Sequence, residues 1–234
     1  MNVLSGWLGT LFYSLAQWTL PGGRLGRAMS RLLLRRSLAF APHRERTHAY
    51  LNYLQGVQAM ERGDPETALR LLRRAARALP GDPAVRLDAA VALTISGKWD
   101  TAETALLKLL QEHPQRMSGE RQLWFALAWS QLRLGRHTQA LQTARQAAEA
   151  GVGTPHLRLV TLLAELAATG TLEADRLSAL LRSQPSLLGN VLEFAEQLAA
   201  TRRIPRADSL VRSLPPNLLP HSLRLLATSA LNTG

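Results

Sequence analysis

With 234 residues, 46% apolar and only 5% aromatic content, the chain can form one elongated domain with an aliphatic core and a short appendage. It has no cysteine, which excludes a disulfide framework, cysteine-ligated zinc and a thiol nucleophile, while a formal charge of +11 points to anionic partners. Alanine, leucine and arginine dominate and β-branched residues are sparse, so helix is favoured nearly everywhere and an all-α fold is expected.

From Met1 to Gly23 there is no charged side chain, and Leu4, Trp7, Leu8, Leu11, Phe12, Leu15 and Trp18 form a stripe at helical spacing. A helix over residues 2–20 would be about 28 Å long, near the hydrocarbon thickness of a bilayer. Residues 1–23 therefore read as a membrane-anchor helix that spans the bilayer or lies in its interface, the third reading being a helix buried against the rest of the chain. Next come Arg24, Arg27, Arg31, Arg35, Arg36, Arg44 and Arg46, opposed only by Glu45 and interleaved with Leu25, Met29, Leu32, Leu33 and Leu34. Residues 24–48 are thus a basic amphipathic segment and a linker over Ala39–His48. Such a segment suits anionic lipid headgroups, and the positive-inside rule places the rest of the chain on the cytoplasmic side. Ala39-Phe40-Ala41 has the form of a signal-peptide cleavage site, but the apolar stretch precedes the arginines, the reverse of a secretory signal.

Residues 49–152 carry one pattern three times. Gly63, Gly97 and Gly135 are 34 and then 38 residues apart, and each is followed at the same distance by an alanine: Ala68, Ala102 and Ala140. In the first repeat, Gly63-Asp64-Pro65 separates two helical runs, with glycine ending one helix, Asp64 capping the next and Pro65 at its first position. That second helix places Ala68, Leu69, Leu72, Ala75 and Ala76 on one face and Arg70, Arg73, Arg74 and Arg77 on the other. The second repeat keeps the same plan to Pro114, and a four-residue insertion containing Ser118-Gly119 precedes the third.

Trp124-x2-Leu127-Ala128, Ala68-x3-Leu72 with Pro80, and Ala102-x3-Leu106 with Pro114 resemble the tetratricopeptide repeat pattern, although no repeat carries all of it. The resemblance implies an α-solenoid of helical hairpins over about 100 residues, as three repeats of this period give. Residues 153–234 continue as degenerate repeats: Thr154-Pro155 opens a helix, Gly170 turns it, Ser186–Ala200 and Pro205–Ser213 pair again, and Pro220–Leu231 forms a capping helix. In layout the chain is similar to bacterial inner-membrane proteins with an N-terminal anchor and cytosolic repeats.

The resemblance also implies a non-enzymatic scaffold whose first helices line a concave groove for an apolar peptide or helix. Transferred by position, the groove is Tyr53 and Val57, then Leu87 and Val91, then Phe125, Trp129 and Arg133. Trp129→Ala and Tyr53→Ala are expected to abolish partner capture while leaving helicity intact. The lysine and asparagine clamp with which some members hold chaperone tails is missing, since Tyr53, Val57, Leu87, Asp88 and Gln122 stand at or near those places. The six histidines are dispersed without metal-ligand spacing, and no phosphate loop is present, so no catalytic residue, metal or cofactor is expected. Two other readings are a structural subunit of a membrane complex, for which Gly6 and Gly9 would allow close helix approach, and a nucleic-acid binder. The second is disfavoured because the densest arginine cluster adjoins the apolar anchor.

Overall fold

The computed structural model describes residues 3–20, 23–38 and 44–214. Every regular element among them is helical: α1 (Val3–Thr19), α2 (Gly23–Leu38), α3 (Arg44–Glu61), α4 (Pro65–Ala78), α5 (Pro83–Ile95), α6 (Trp99–Glu112), α7 (Pro114–Met117), α8 (Arg121–Arg133), α9 (His137–Glu149), α10 (Pro155–Thr169), α11 (Ala174–Ser183), a single 3-10 turn at Pro185–Leu187, α12 (Leu188–Ala200) and α13 (Ile204–Arg212). The fold is all-α, built from helical hairpins of the tetratricopeptide type. The expected capping helix Pro220–Leu231 lies outside the described residues.

The hairpin turns form where the repeating glycines require them. Gly63, Gly97 and Gly135 have φ of +74°, +72° and +77°, a left-handed conformation that side chains other than glycine adopt at a cost. Asp64 then accepts a hydrogen bond from the Thr67 amide at 3.1 Å, and Asp82 accepts from Ala84 and Val85 at 3.1 and 3.3 Å. Both carboxylates satisfy amides that a helix start leaves open. The Asp64 carboxyl is held below the usual range, chiefly by that bond to the Thr67 amide.

The chain divides into two compact units, Met1–Lys98 and Trp99–Gly234. In the first, α1 packs on α2, α2 on α3, α3 on α4 and α4 on α5. One core joins Ala16, Leu34, Ala49, Tyr50, Leu54, Ala75, Leu79 and Val85, with Tyr13, Leu20 and Leu33 packed against it. Polar ties fix the same arrangement. Ser30 donates to the Ala16 carbonyl at 2.9 Å, the Thr19 and Ser30 hydroxyls lie 2.8 Å apart, and Arg27 pairs with Glu61.

Of the readings left open for this segment, the spanning one finds no support among the described residues. At 17 residues α1 is about 26 Å long, short of the roughly 30 Å of a bilayer core, and no described helix is long and apolar enough to cross a membrane. On one side of α1, Ala16 is buried in the intramolecular core and Tyr13 packs against it, as does Leu20 just after the helix. Of the linker expected over Ala39–His48, Arg44–His48 belong to α3, in which Thr47 and Ala49 are buried, and 39–43 lie outside the described residues.

In the second unit α6 packs on α8, α8 on α9 and α10, α9 on α10, and α12 on α13. The second repeat closes in the one-turn helix α7, whose Met117 is buried, and in the insertion that follows it the Ser118 carbonyl accepts from the Trp124 indole at 2.7 Å. Helix α8 is buried on most of its circumference, with Leu123, Trp124 and Ala126 to Leu132 enclosed. Its Gln131 accepts a 2.7 Å bond from Thr143 of α9, which satisfies two buried polar groups at once.

Candidate interaction surfaces

In the first unit, the residues expected on the groove take different positions. Val57 and Val91 are half-buried and reach solvent, as do the neighbouring Met60 and, more fully, Ile95. A hollow of about 40 Å³ opens between Met60, Ala68, Ala92 and Ile95. Tyr53 is half-buried and its hydroxyl donates to Asp88 at 2.8 Å. Burial together with that carboxylate pushes the Tyr53 phenol well above its ordinary value, so it stays protonated and continues to donate. Tyr50 is tied in the same way to Asp82, at 2.9 Å. Leu87 is 5% exposed and belongs to the core.

In the second unit, Phe125 is half-buried, 6.0 Å from the Trp129 ring and edge-on to His156 at 5.0 Å. Trp129 itself is 3% exposed. It is a packing residue, so the expectation that Trp129→Ala would spare the fold is corrected. Arg133 lies 4.7 Å over the Trp99 ring and 5.9 Å from that of Trp129, and it pairs with Glu193 of α12 at 2.5 Å. Gln197 of the same helix donates to the Arg133 carbonyl at 2.7 Å. These contacts close the end of α8 that the groove reading left open. The contacts with Glu193 and Gln197 join residues sixty or more positions apart, for which the local pattern holds no signal.

The α1–α2 hairpin turns a different surface outward. Leu8, Leu11, Leu15 and Trp18 of α1 and Leu25, Met29 and Leu32 of α2 are exposed, Trp18 by 80% and Leu25 by 87%. Arg35 and Arg36 are exposed beside them, Arg31 is half-buried, and Arg27 is engaged with Glu61. Phe12 is half-buried, and the side chains of Trp7 and Arg24 lie outside the described residues. Elsewhere in this unit Arg70, Arg73, Arg74 and Arg77 of α4 line a cleft of about 620 Å³. Among the described residues no group of three or more histidine, cysteine, aspartate or glutamate side chains could hold a metal ion.

A family model described as Tetratricopeptide repeat matches residues 59–119. This stretch is similar to tetratricopeptide repeats. The match covers the turn at Gly63, helices α4 to α7 and the alanines Ala68 and Ala102 that recur behind the turns. A solved structure titled "Functional Characterization of Pseudomonas Aeruginosa pilF" is similar in fold to the whole chain, with a TM-score of 0.55 at 15% identity, covering 97% of this chain and 98% of that one. No curated protein matches the sequence. The repeat match and the shared helical fold support a protein–protein interaction scaffold.

Proposed function

We propose that the chain is a non-enzymatic tetratricopeptide scaffold that captures an apolar peptide or helix and rests in the plane of an anionic membrane surface. The observation that carries the membrane reading is the outward face of α1 and α2, where Leu8, Leu11, Leu15, Trp18, Leu25, Met29 and Leu32 are exposed next to Arg35 and Arg36. Isolated exposed leucines are ordinary, but exposed apolar stripes on two adjacent helices, bordered by exposed arginines, are what an interfacial hairpin presents to lipid. The cytoplasmic leaflet, where anionic lipid is concentrated, suits those arginines. For partner capture, the solvent-open Val57, Met60, Val91 and Ile95 of α3 and α5 supply apolar contact. The hollow beside Ile95 offers a seat for the tip of an inserted side chain.

Flotation of the full-length protein with vesicles of neutral lipid, with and without phosphatidylglycerol, tests the membrane reading. Binding that needs the anionic lipid and is lost in Leu25→Glu/Leu32→Glu supports it, while equal flotation of parent and variant refutes it. Photocrosslinkers placed at Val57 and Val91 test the groove. Crosslinks to the same partner from both positions, absent from a probe at Gln142 on the exposed side of α9, support capture there, and products from Gln142 alone refute it.

A further inference from the structure

Helix α4 holds a second charged surface that neither the lipid face nor the groove uses. Arg70, Arg73, Arg74 and Arg77 fall at i, i+3, i+4 and i+7, so their side chains leave the helix along one stripe about 10.5 Å long. The stripe lies opposite the buried face of Ala68, Leu69, Leu72 and Ala75. All four arginines line the 620 Å³ cleft, together with Lys98 from the turn after α5. The one carboxylate in the lining is Glu66, in the first turn of α4, where the positive helix end already favours an acid.

The row lacks the counter-ions that pair charges on several other helices. Lys108 has Glu112 at 3.8 Å, Arg176 has Glu173 at 2.6 Å and Arg212 has Asp208 at 2.9 Å, each one turn away on its own helix. On α4 only Arg70 has an acid at such a spacing, Glu66 one turn before it; the charged neighbours of Arg73, Arg74 and Arg77 are other arginines, so the row repels itself and weakens the helix that carries it. No salt bridge joins any of these four arginines to a described residue. An external anion placed along the stripe would relieve that repulsion.

We infer that the α4 cleft binds an acidic peptide segment of a protein partner, with several carboxylates seated against Arg70, Arg73, Arg74 and Arg77. Guanidinium forks take carboxylates in bidentate pairs, and an acidic helix with carboxylates at the same three- and four-residue spacing matches the stripe in length and register. Leu69 gives the floor an apolar contact. The lining has no aromatic ring on which bases could stack, which favours peptide over single-stranded nucleic acid. This reading stands apart from the lipid face, whose arginines are on α2.

The test is fluorescence anisotropy of labelled dodecaglutamate titrated with the full-length protein. Parallel titrations use the Arg70→Gln/Arg73→Gln/Arg74→Gln/Arg77→Gln variant, the Arg35→Gln/Arg36→Gln variant, and labelled oligo(dT) of equal length. Salt-sensitive binding of the peptide is expected, with a loss of roughly ten-fold or more in the α4 variant and less than about two-fold in the α2 variant. Glutamine keeps the helix propensity and removes the repulsion, so the α4 variant should melt at the parent temperature or above. Should it lose helicity, Arg73→Gln/Arg74→Gln serves for the same comparison. Absence of peptide binding, equal binding by the α4 variant, or an equal loss in the α2 variant would each overturn the inference. Tighter binding of oligo(dT) that the α4 substitutions abolish would overturn it in favour of a nucleic-acid surface.

Discussion

Gly56 gives a quantitative handle on the first hairpin. It lies in α3 where α4 crosses, and a Cβ added there would meet Leu72 Cγ at 2.7 Å, Cδ2 at 2.9 Å and the Leu72 amide nitrogen at 3.2 Å. Leu72 is fully buried and has no open side to move into. In an unencumbered helix Gly→Ala gains about 1 kcal/mol from propensity, whereas overpacking of this kind costs about 1–3 kcal/mol. The net expectation for Gly56→Ala is a loss of roughly 1 kcal/mol, or about 2–4 °C in Tm for a chain of this size. Leu72→Ala alone should cost about 2–5 kcal/mol. In that background the side-chain clash is gone and only the contact with the amide remains, so Gly56→Ala should become neutral or stabilising, a coupling of about 1–2 kcal/mol. Gly189→Ala in α12, where nothing lies within 4 Å of the added carbon, is the control and should not lower Tm. Urea and thermal unfolding monitored by circular dichroism would measure all four variants. A rise in Tm for Gly56→Ala, or a cycle additive within about 0.3 kcal/mol, would refute the claim that close backbone approach sets the residue at this position.

Three further outcomes rest on named contacts. Trp129→Ala removes a buried ring and its stacking with Arg133, so it should cost about 3–5 kcal/mol and lower Tm sharply; a melting temperature near that of the parent would show the ring to be dispensable to the fold. Tyr53→Phe removes the 2.8 Å bond to Asp88 while keeping the ring, for an expected loss of about 1–2 kcal/mol by denaturant unfolding, and an unchanged midpoint would mean water replaces that donor without penalty. His137 is half-buried and accepts from Arg203 at 3.0 Å, and burial, then the charges of Arg203 and Arg206, lowers its pKa below the ordinary 6.5. The unfolded chain therefore binds the proton more readily, so the stability contributed by neutral His137 is present above pH 6.5 and is lost as the pH falls below it. His137→Gln should flatten the stability profile just below pH 6.5, and an identical profile in parent and variant would remove His137 from the acid response.

The hairpins are legible in the sequence because what makes them is local. A glycine that must be left-handed, an aspartate one residue on and a proline at the first helical position act within a few residues, so Gly63-Asp64-Pro65 could be read without a structure. Helix α3 starts earlier than read because its first turn is polar, and its reason for being helical is tertiary: Thr47 is buried, and Ala49 and Tyr50 share a core with Ala16 and Leu34 of the first two helices. The same holds for Met117 in α7, which the four-residue insertion alone did not announce.

Surfaces are harder to read because helical periodicity records that a face is apolar and not what it meets. The stripe of α1 serves lipid, a partner or the chain's own core with equal economy, and Ala16 and Tyr13 turn out to meet Leu34 and Tyr50 while Leu11 and Trp18 are left exposed. In α8, spacing alone puts Trp129 and Arg133 on one surface, yet Glu193 and Gln197, far along the chain, claim the end of that helix. Charge behaves differently. The four arginines of α4 were legible as an outward face, since no acid stands within one turn to neutralise them except Glu66 at the helix start, and four guanidinium groups cannot be buried unpaired. For that face the sequence supplies the position and sign of the charge, and the structure adds the one thing the sequence lacks, a cleft in which an anion can be held by several arginines at once.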